Sequence, residues 1–143
     1  MKIPLKNAAE LDAMRESCRM TASVLGQVAA AVQPGVTTGE LDALTRRLIA
    51  GMNAKPSFLG YRGYPGAICI SINDEVIHGI PGQRVVLPGD VVSLDVGVYY
   101  KGFHGDSATT VMVGVTDPDV IRLVETTRRA LEAAVAAVRP GCR

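Results

Sequence analysis

Residues Val91–Tyr99 alternate: Val92, Leu94, Val96 and Val98 fall on one side, and Ser93, Asp95, Gly97 and Tyr99 on the other. A period of two predicts a half-buried strand. A second β-like run, Phe103–Val113, follows after Tyr100-Lys101-Gly102, and the simplest connection is an antiparallel hairpin. If the turn centres on Tyr100-Lys101, Asp95 lies directly opposite Asp106. If it slips by one residue at both ends, the two are diagonal neighbours. Either way both carboxylates leave the same sheet face, because side chains alternate along a strand.

Like charges facing one another destabilise a sheet, and two carboxylates sharing a site do not both ionise cheaply. A divalent cation, or a pair of them, is the natural neutralising partner. The spacing alone is equally compatible with two solvated aspartates on an exposed hairpin face. Asp95 shifts that balance: it sits between Leu94 and Val96 inside a strand, where aspartate is depleted.

The rest of the chain is read around this hairpin. Its 143 residues suffice for one domain with a core, and 48% hydrophobic with 20% charged residues exclude a disordered chain. A net charge of +1 without a basic run gives no electrostatic case for nucleic acid or for a membrane surface. Cys18, Cys69 and Cys142 form no CxxC pattern. Reduced thiols in the cytoplasm fit best. The first residues have no apolar signal segment, and no long hydrophobic span follows.

Asn7 with Glu10, and Thr37 with Glu40, are capping boxes that open two helices. Leu11, Met14, Cys18, Leu25, Val28 and Val32 mark the apolar stripe of the first, which Pro34-Gly35 stops; Leu41, Leu44, Leu48 and Met52 mark the second. Lys55–Gly66, rich in Gly, Pro and Tyr, predicts an ordered loop presenting aromatic faces. Ala67–Ile72 predicts a strand, Asn73-Asp74 a turn, and Glu75–Ile77 the start of another strand ending at His78. A lone histidine after a strand is ordinarily structural or merely exposed. Here Gly79-Ile80-Pro81-Gly82 follows, which allows close backbone approach and a fixed loop. Asp117-Pro118 opens a third helix with Ile121, Val124, Leu131, Val135 and Val138 on one face. Its end, Leu131–Gly141, repeats the pattern of Leu25–Gly35 at an offset of 106 residues. This predicts the first half of a duplicated domain.

Three segments in this order and spacing, Val76-Ile77-His78-Gly79-Ile80-Pro81, Ser93-Leu94-Asp95-Val96-Gly97 and Gly102-Phe103-His104-Gly105-Asp106, resemble type I methionine aminopeptidases. The resemblance runs from the first helix to Arg143. It implies an α+β pita-bread fold, shared with creatinase and proline aminopeptidases: a curved antiparallel sheet with helices on one face. Only the first pseudo-symmetric half and a third helix would be present. It implies removal of N-terminal methionine, with a small second residue preferred, from nascent polypeptides, including those still on the ribosome. The enzyme would be a cytoplasmic monomer using two divalent ions among Mn, Fe, Co, Zn and Ni. Asp95 matches a ligand of one ion, Asp106 the bridging ligand, and His78 the histidine beside the scissile amide. Tyr61, Tyr64 and Cys69 match the methionine pocket. Loop packing is the plainer reading of the two tyrosines, and a buried small hydrophobe that of the cysteine. Phe58 stands where many bacterial relatives carry a smaller residue. His104 shares a face with Asp106 but matches no ligand.

The remaining ligands of the family, a histidine and two glutamates, have no counterpart here; Glu125 and Glu132 fall on the third helix. The expectation is that residues 1–143 are the N-terminal part of one catalytic domain and are inactive alone. A non-catalytic pita-bread module that binds peptides or proteins, and an Xaa-Pro aminopeptidase-like hydrolase, are the competing functions.

Overall fold

Both capping boxes form. In the computed structural model, which describes residues 3–142, Asn7 Oδ1 accepts from the Glu10 amide at 3.0 Å while Glu10 accepts from the Asn7 amide at 2.8 Å. The same reciprocal pair joins Thr37 and Glu40. They open α1 (Ala8–Ala31) and α2 (Thr38–Gly51). Four strands follow: β1 (Lys55–Pro56), β2 (Ile68–Ile72), β3 (Val91–Tyr100) and β4 (Phe103–Met112). The last helix is α3 (Pro118–Ala137). The loop between β1 and β2 carries one turn of 3₁₀ helix at Tyr61–Gly63, which its Gly- and Pro-rich composition concealed.

All pairings are antiparallel, and β3 is the centre of the sheet. β4 covers one of its edges, while β1 and β2 lie in succession along the other. Val92, Leu94, Val96 and Val98 are fully buried, with Ile68, Ile70 and Ile72 of β2 beside them. They meet Val24 and Val28 of α1 and Leu41 and Ile49 of α2. The expected α+β arrangement, helices on one face of an antiparallel sheet, holds for α1 and α2. The opposite face carries the functional candidates.

Hydrophobic periodicity placed Leu25 and Val28 correctly in the core but misplaced the buried face in the first half of α1. Leu11 and Cys18 are exposed, whereas Ser17 and Thr21 are buried. The cause is a close approach to the hairpin. Ser17 Oγ donates to the Val98 carbonyl at 2.7 Å and accepts from the Gly105 amide at 2.9 Å. A Cβ on Gly105 would stand 2.5 Å from Thr21 Oγ1 and 2.7 Å from the Ser17 carbonyl oxygen. Small polar side chains and a glycine let backbone pack on backbone here. Gly105→Ala is therefore expected to lower stability by about 2–3 kcal/mol, read as a fall in the urea midpoint at unchanged m-value.

Glu75–Ile77 forms no strand. The Glu75 carboxylate accepts from the Ile72 amide at 2.8 Å, which caps the turn after β2, and also pairs with Arg84. His78 then takes a left-handed φ of 60°, incompatible with a continuing strand. The apolar face of α3 is helical as its spacing predicts, but α3 buries none of its side chains.

The sequence repeat has a structural counterpart. Val32 and Val138 leave their helices with (φ, ψ) of (−71°, 111°) and (−67°, 117°). Gly35 and Gly141 follow with φ of 94° and 84°. The turn bond Val36 N–H to Gln33 O (3.2 Å) recurs as Cys142 N–H to Arg139 O (3.1 Å).

Candidate active site

The β3–β4 turn is Lys101–Gly102, both with positive φ, so Tyr100 pairs with Phe103. That selects the diagonal register: Asp95 is opposite Ala108, and Asp106 is opposite Gly97. Both aspartates project from the face away from the helices. Cys69 of β2 is the partner of Asp95 on its other side. Together with His78, Tyr61 and Tyr64 these residues line one cleft of about 620 Å³, walled further by Phe58, Arg62 and Ile80. All six residues singled out from the sequence thus meet in one place. His104 is held outside it by Ser57, 2.8 Å from its Nδ1, and by its ring contact with Tyr99.

Asp95 is the electrostatic focus. Its Oδ1 is buried and accepts no hydrogen bond. Burial raises its pKa, and the Asp106 carboxylate, close enough to share a proton, raises it further; His78 pulls the other way. A buried oxygen without a donor and a carboxylate facing its like together fit a divalent cation. The fit is that of a partial site: among the described residues no three His, Cys, Asp or Glu side chains are grouped to hold a metal.

The raised pKa has a signed consequence for the metal-free protein. Folding takes up a proton at Asp95, so its stabilising contribution is complete below the ordinary aspartate value of about 4. That contribution is lost as pH rises through the raised value. Melting in chelator should show wild type losing stability relative to Asp95→Asn as pH is raised across that window. A difference independent of pH would contradict the burial and Asp106 effects.

The walls of the cleft are anchored by a residue the apolar pattern passed over. Asp42 of α2 is buried; its Oδ1 accepts from the Ala67 amide at 2.6 Å and its Oδ2 pairs with Arg46 Nε at 2.6 Å. Arg46 in turn donates to the Pro65 carbonyl at 2.7 Å. Asp and Arg four apart on a helix was the available signal. Tyr64 is half-buried, and its hydroxyl lies 2.9 Å from the Gly79 carbonyl oxygen and 3.1 Å from that of Ile68. Burial raises its phenol pKa, with the Cys69 hydrogen bond adding to the effect. Burial likewise raises the Cys69 thiol, so neither is an anion near neutrality. Arg62, also unforeseen, lies over the exposed Tyr61 ring at 5.5 Å.

The model of metallopeptidase family M24 matches residues 12–143. The chain belongs to metallopeptidase family M24. M24 members are metallopeptidases, which implies dependence on divalent metal. Among them, methionine aminopeptidase 1 of Mycobacterium tuberculosis is 45% identical over 142 residues, covering 99% of this chain and 53% of that one. The crystal structure of methionine aminopeptidase from Thermotoga maritima superposes with a TM-score of 0.95 at 38% identity, covering 99% of this chain and 57% of that one. Aminopeptidase P from E. coli, at 21% identity, 95% coverage of this chain and 30% of that one, and a TM-score of 0.82, shows the shared fold alone. The resemblance to methionine aminopeptidases thus holds over nearly the whole sequence, and the fold is the M24 pita-bread fold. The chain spans about half the length of the curated relatives it matches.

Proposed function

We propose that this chain supplies the first carboxylates, the assisting histidine and the side-chain pocket of a metal-dependent aminopeptidase that removes N-terminal methionine. The observation that carries the reading is the pair Asp95 and Asp106 on one sheet face, with a buried Asp95 oxygen that no donor satisfies. Relatives named methionine aminopeptidase, 40–45% identical to the chain, supply the reaction class.

Asp95 would hold one divalent ion, and Asp106 would bridge it to a second. Such ions lower the pKa of water at the site and polarise an amide carbonyl. The residues themselves do the rest. His78 stands at the lip of the cleft, where its imidazole donates to or accepts from the scissile amide and helps move a proton to the departing amine. Cys69 forms an apolar floor beside Asp95, and Tyr61, Tyr64 and Phe58 form walls. An unbranched thioether fits such a slot, and the same walls leave little room for a bulky second residue. Two carboxylates are fewer ligands than a tight site needs. Residues 1–143 are accordingly read as the N-terminal part of one catalytic domain, and the ligands still required come from outside these residues. The substrates are the N-termini of newly made polypeptides in the cytoplasm, a compartment suited to three unpaired thiols. Among the described residues no helix is long and apolar enough to cross a membrane.

Product analysis tests this. Met-Ala-Ser and an Xaa-Pro peptide are incubated with Mn²⁺ or Co²⁺ and either this chain or its fusion to the C-terminal remainder of the Mycobacterium tuberculosis relative. Methionine release by the fusion alone, with the Xaa-Pro peptide intact, is the expected result. Preferential Xaa-Pro cleavage would replace the specificity proposed. Absence of hydrolysis by both would favour a peptide-binding module.

A further inference from the structure

Of His78, Asp95 and Asp106, only His78 is carried by no regular element. It occupies the left-handed region with φ 60°, a conformation that persists in a non-glycine residue only when its surroundings impose it. The two residues before it are not packed: Val76 is 95% and Ile77 63% exposed. The constraint comes from the residue after it. The Gly79 amide donates to Ser71 Oγ at 3.1 Å. The Gly79 carbonyl accepts from the Ile70 amide at 3.0 Å and from the Tyr64 hydroxyl at 2.9 Å. Gly79 lies so close over β2 that an added Cβ would fall on the Ile70 carbonyl, 2.8 Å from its carbon.

We propose that Ser71 is a positioning residue for His78, acting through the Gly79 amide, with the Tyr64 hydroxyl fixing the other side of the same glycine. Ser71 alternates with Cys69 along β2 and pairs with Ser93, so it shares the sheet face of Asp95. Ser71 is buried. Ser71 therefore ties the loop bearing His78 to the rigid sheet bearing the carboxylates. It sets the distance between the two without touching substrate.

The functional side of this inference rests on the role proposed for His78; the structural side does not. Backbone NMR of the protein tests the structural side directly. In Ser71→Ala the Gly79 amide should exchange about tenfold faster, and the His78 carbon shifts should leave the left-handed range. Ser71→Thr, which keeps the hydroxyl, should restore both. Unchanged exchange and unchanged His78 shifts in Ser71→Ala would overturn the proposal. In a form that hydrolyses Met-Ala-Ser, Ser71→Ala should lower kcat about tenfold with KM little changed. That loss should vanish in a His78→Ala background, because a residue acting only through His78 has nothing left to position. A loss of equal size in both backgrounds would mean that Ser71 acts elsewhere. If no form hydrolyses methionyl peptides, the proposed function fails and the NMR result still decides the proposal.

Discussion

Asp106→Asn is expected to lower methionine release by at least about 100-fold in any form of the protein that shows it. The amide keeps the size of the carboxylate but loses its charge and half of its acceptor capacity. In the metal-free protein burial still raises the Asp95 pKa, but the same change removes the further upward push of the Asp106 charge. The variant should therefore fold at least as well as wild type while binding metal less tightly. That opposition of effects separates a ligand from a structural residue. Two solvated aspartates on a bare hairpin face would give neither change. Parallel measurement of thermal stability in chelator and of peptide hydrolysis with Mn²⁺ reads both. Loss of stability together with activity would contradict the assignment.

Gly79→Ala is expected to have the largest structural effect of any single methyl added near the cleft. The new Cβ meets the carbonyl of Ile70 and the Cα of Ser71. Both belong to β2, whose five residues are all buried. Neither side has a flexible end to swing away, so the strain has two outlets. Either β2 shifts within the sheet, or the His78 loop lifts and loses its bonds to Ser71 and Tyr64. Either outlet costs about 2–3 kcal/mol and moves His78 away from Asp95. Denaturant unfolding and peptide hydrolysis should both fall. Unchanged values for both would mean that Gly79 does not pack on β2 as described.

The face carrying Asp95 and Asp106 was legible because alternation is insensitive to a change of turn that slips both strands equally. Moving the turn from Tyr100-Lys101 to Lys101–Gly102 exchanged opposite for diagonal pairing but kept both carboxylates on one side. Helix starts were legible for a similar reason, since a capping box is a local chemical pattern. What escaped depends on tertiary packing. Ser17 and Thr21 are buried because Gly105 comes close, not because they are apolar. Val76 and Ile77 look like strand residues, yet the Glu75 carboxylate closes the turn and His78 bends away. Asp42 and Ser71 accept from backbone amides of other segments, and no periodicity records such partners. The conjunction of His78 with the carboxylates came from family resemblance, not spacing, and the cleft brings them together.

The most direct test of the carboxylate pair is calorimetric titration of this chain with Mn²⁺, beside the Asp95→Asn/Asp106→Asn double variant. Two carboxylates without further ligands should give one weak site, with a dissociation constant of about 10⁻⁴–10⁻³ M, and the double variant should give none. Equal binding by the two proteins would place the metal elsewhere and remove the basis for the proposed chemistry.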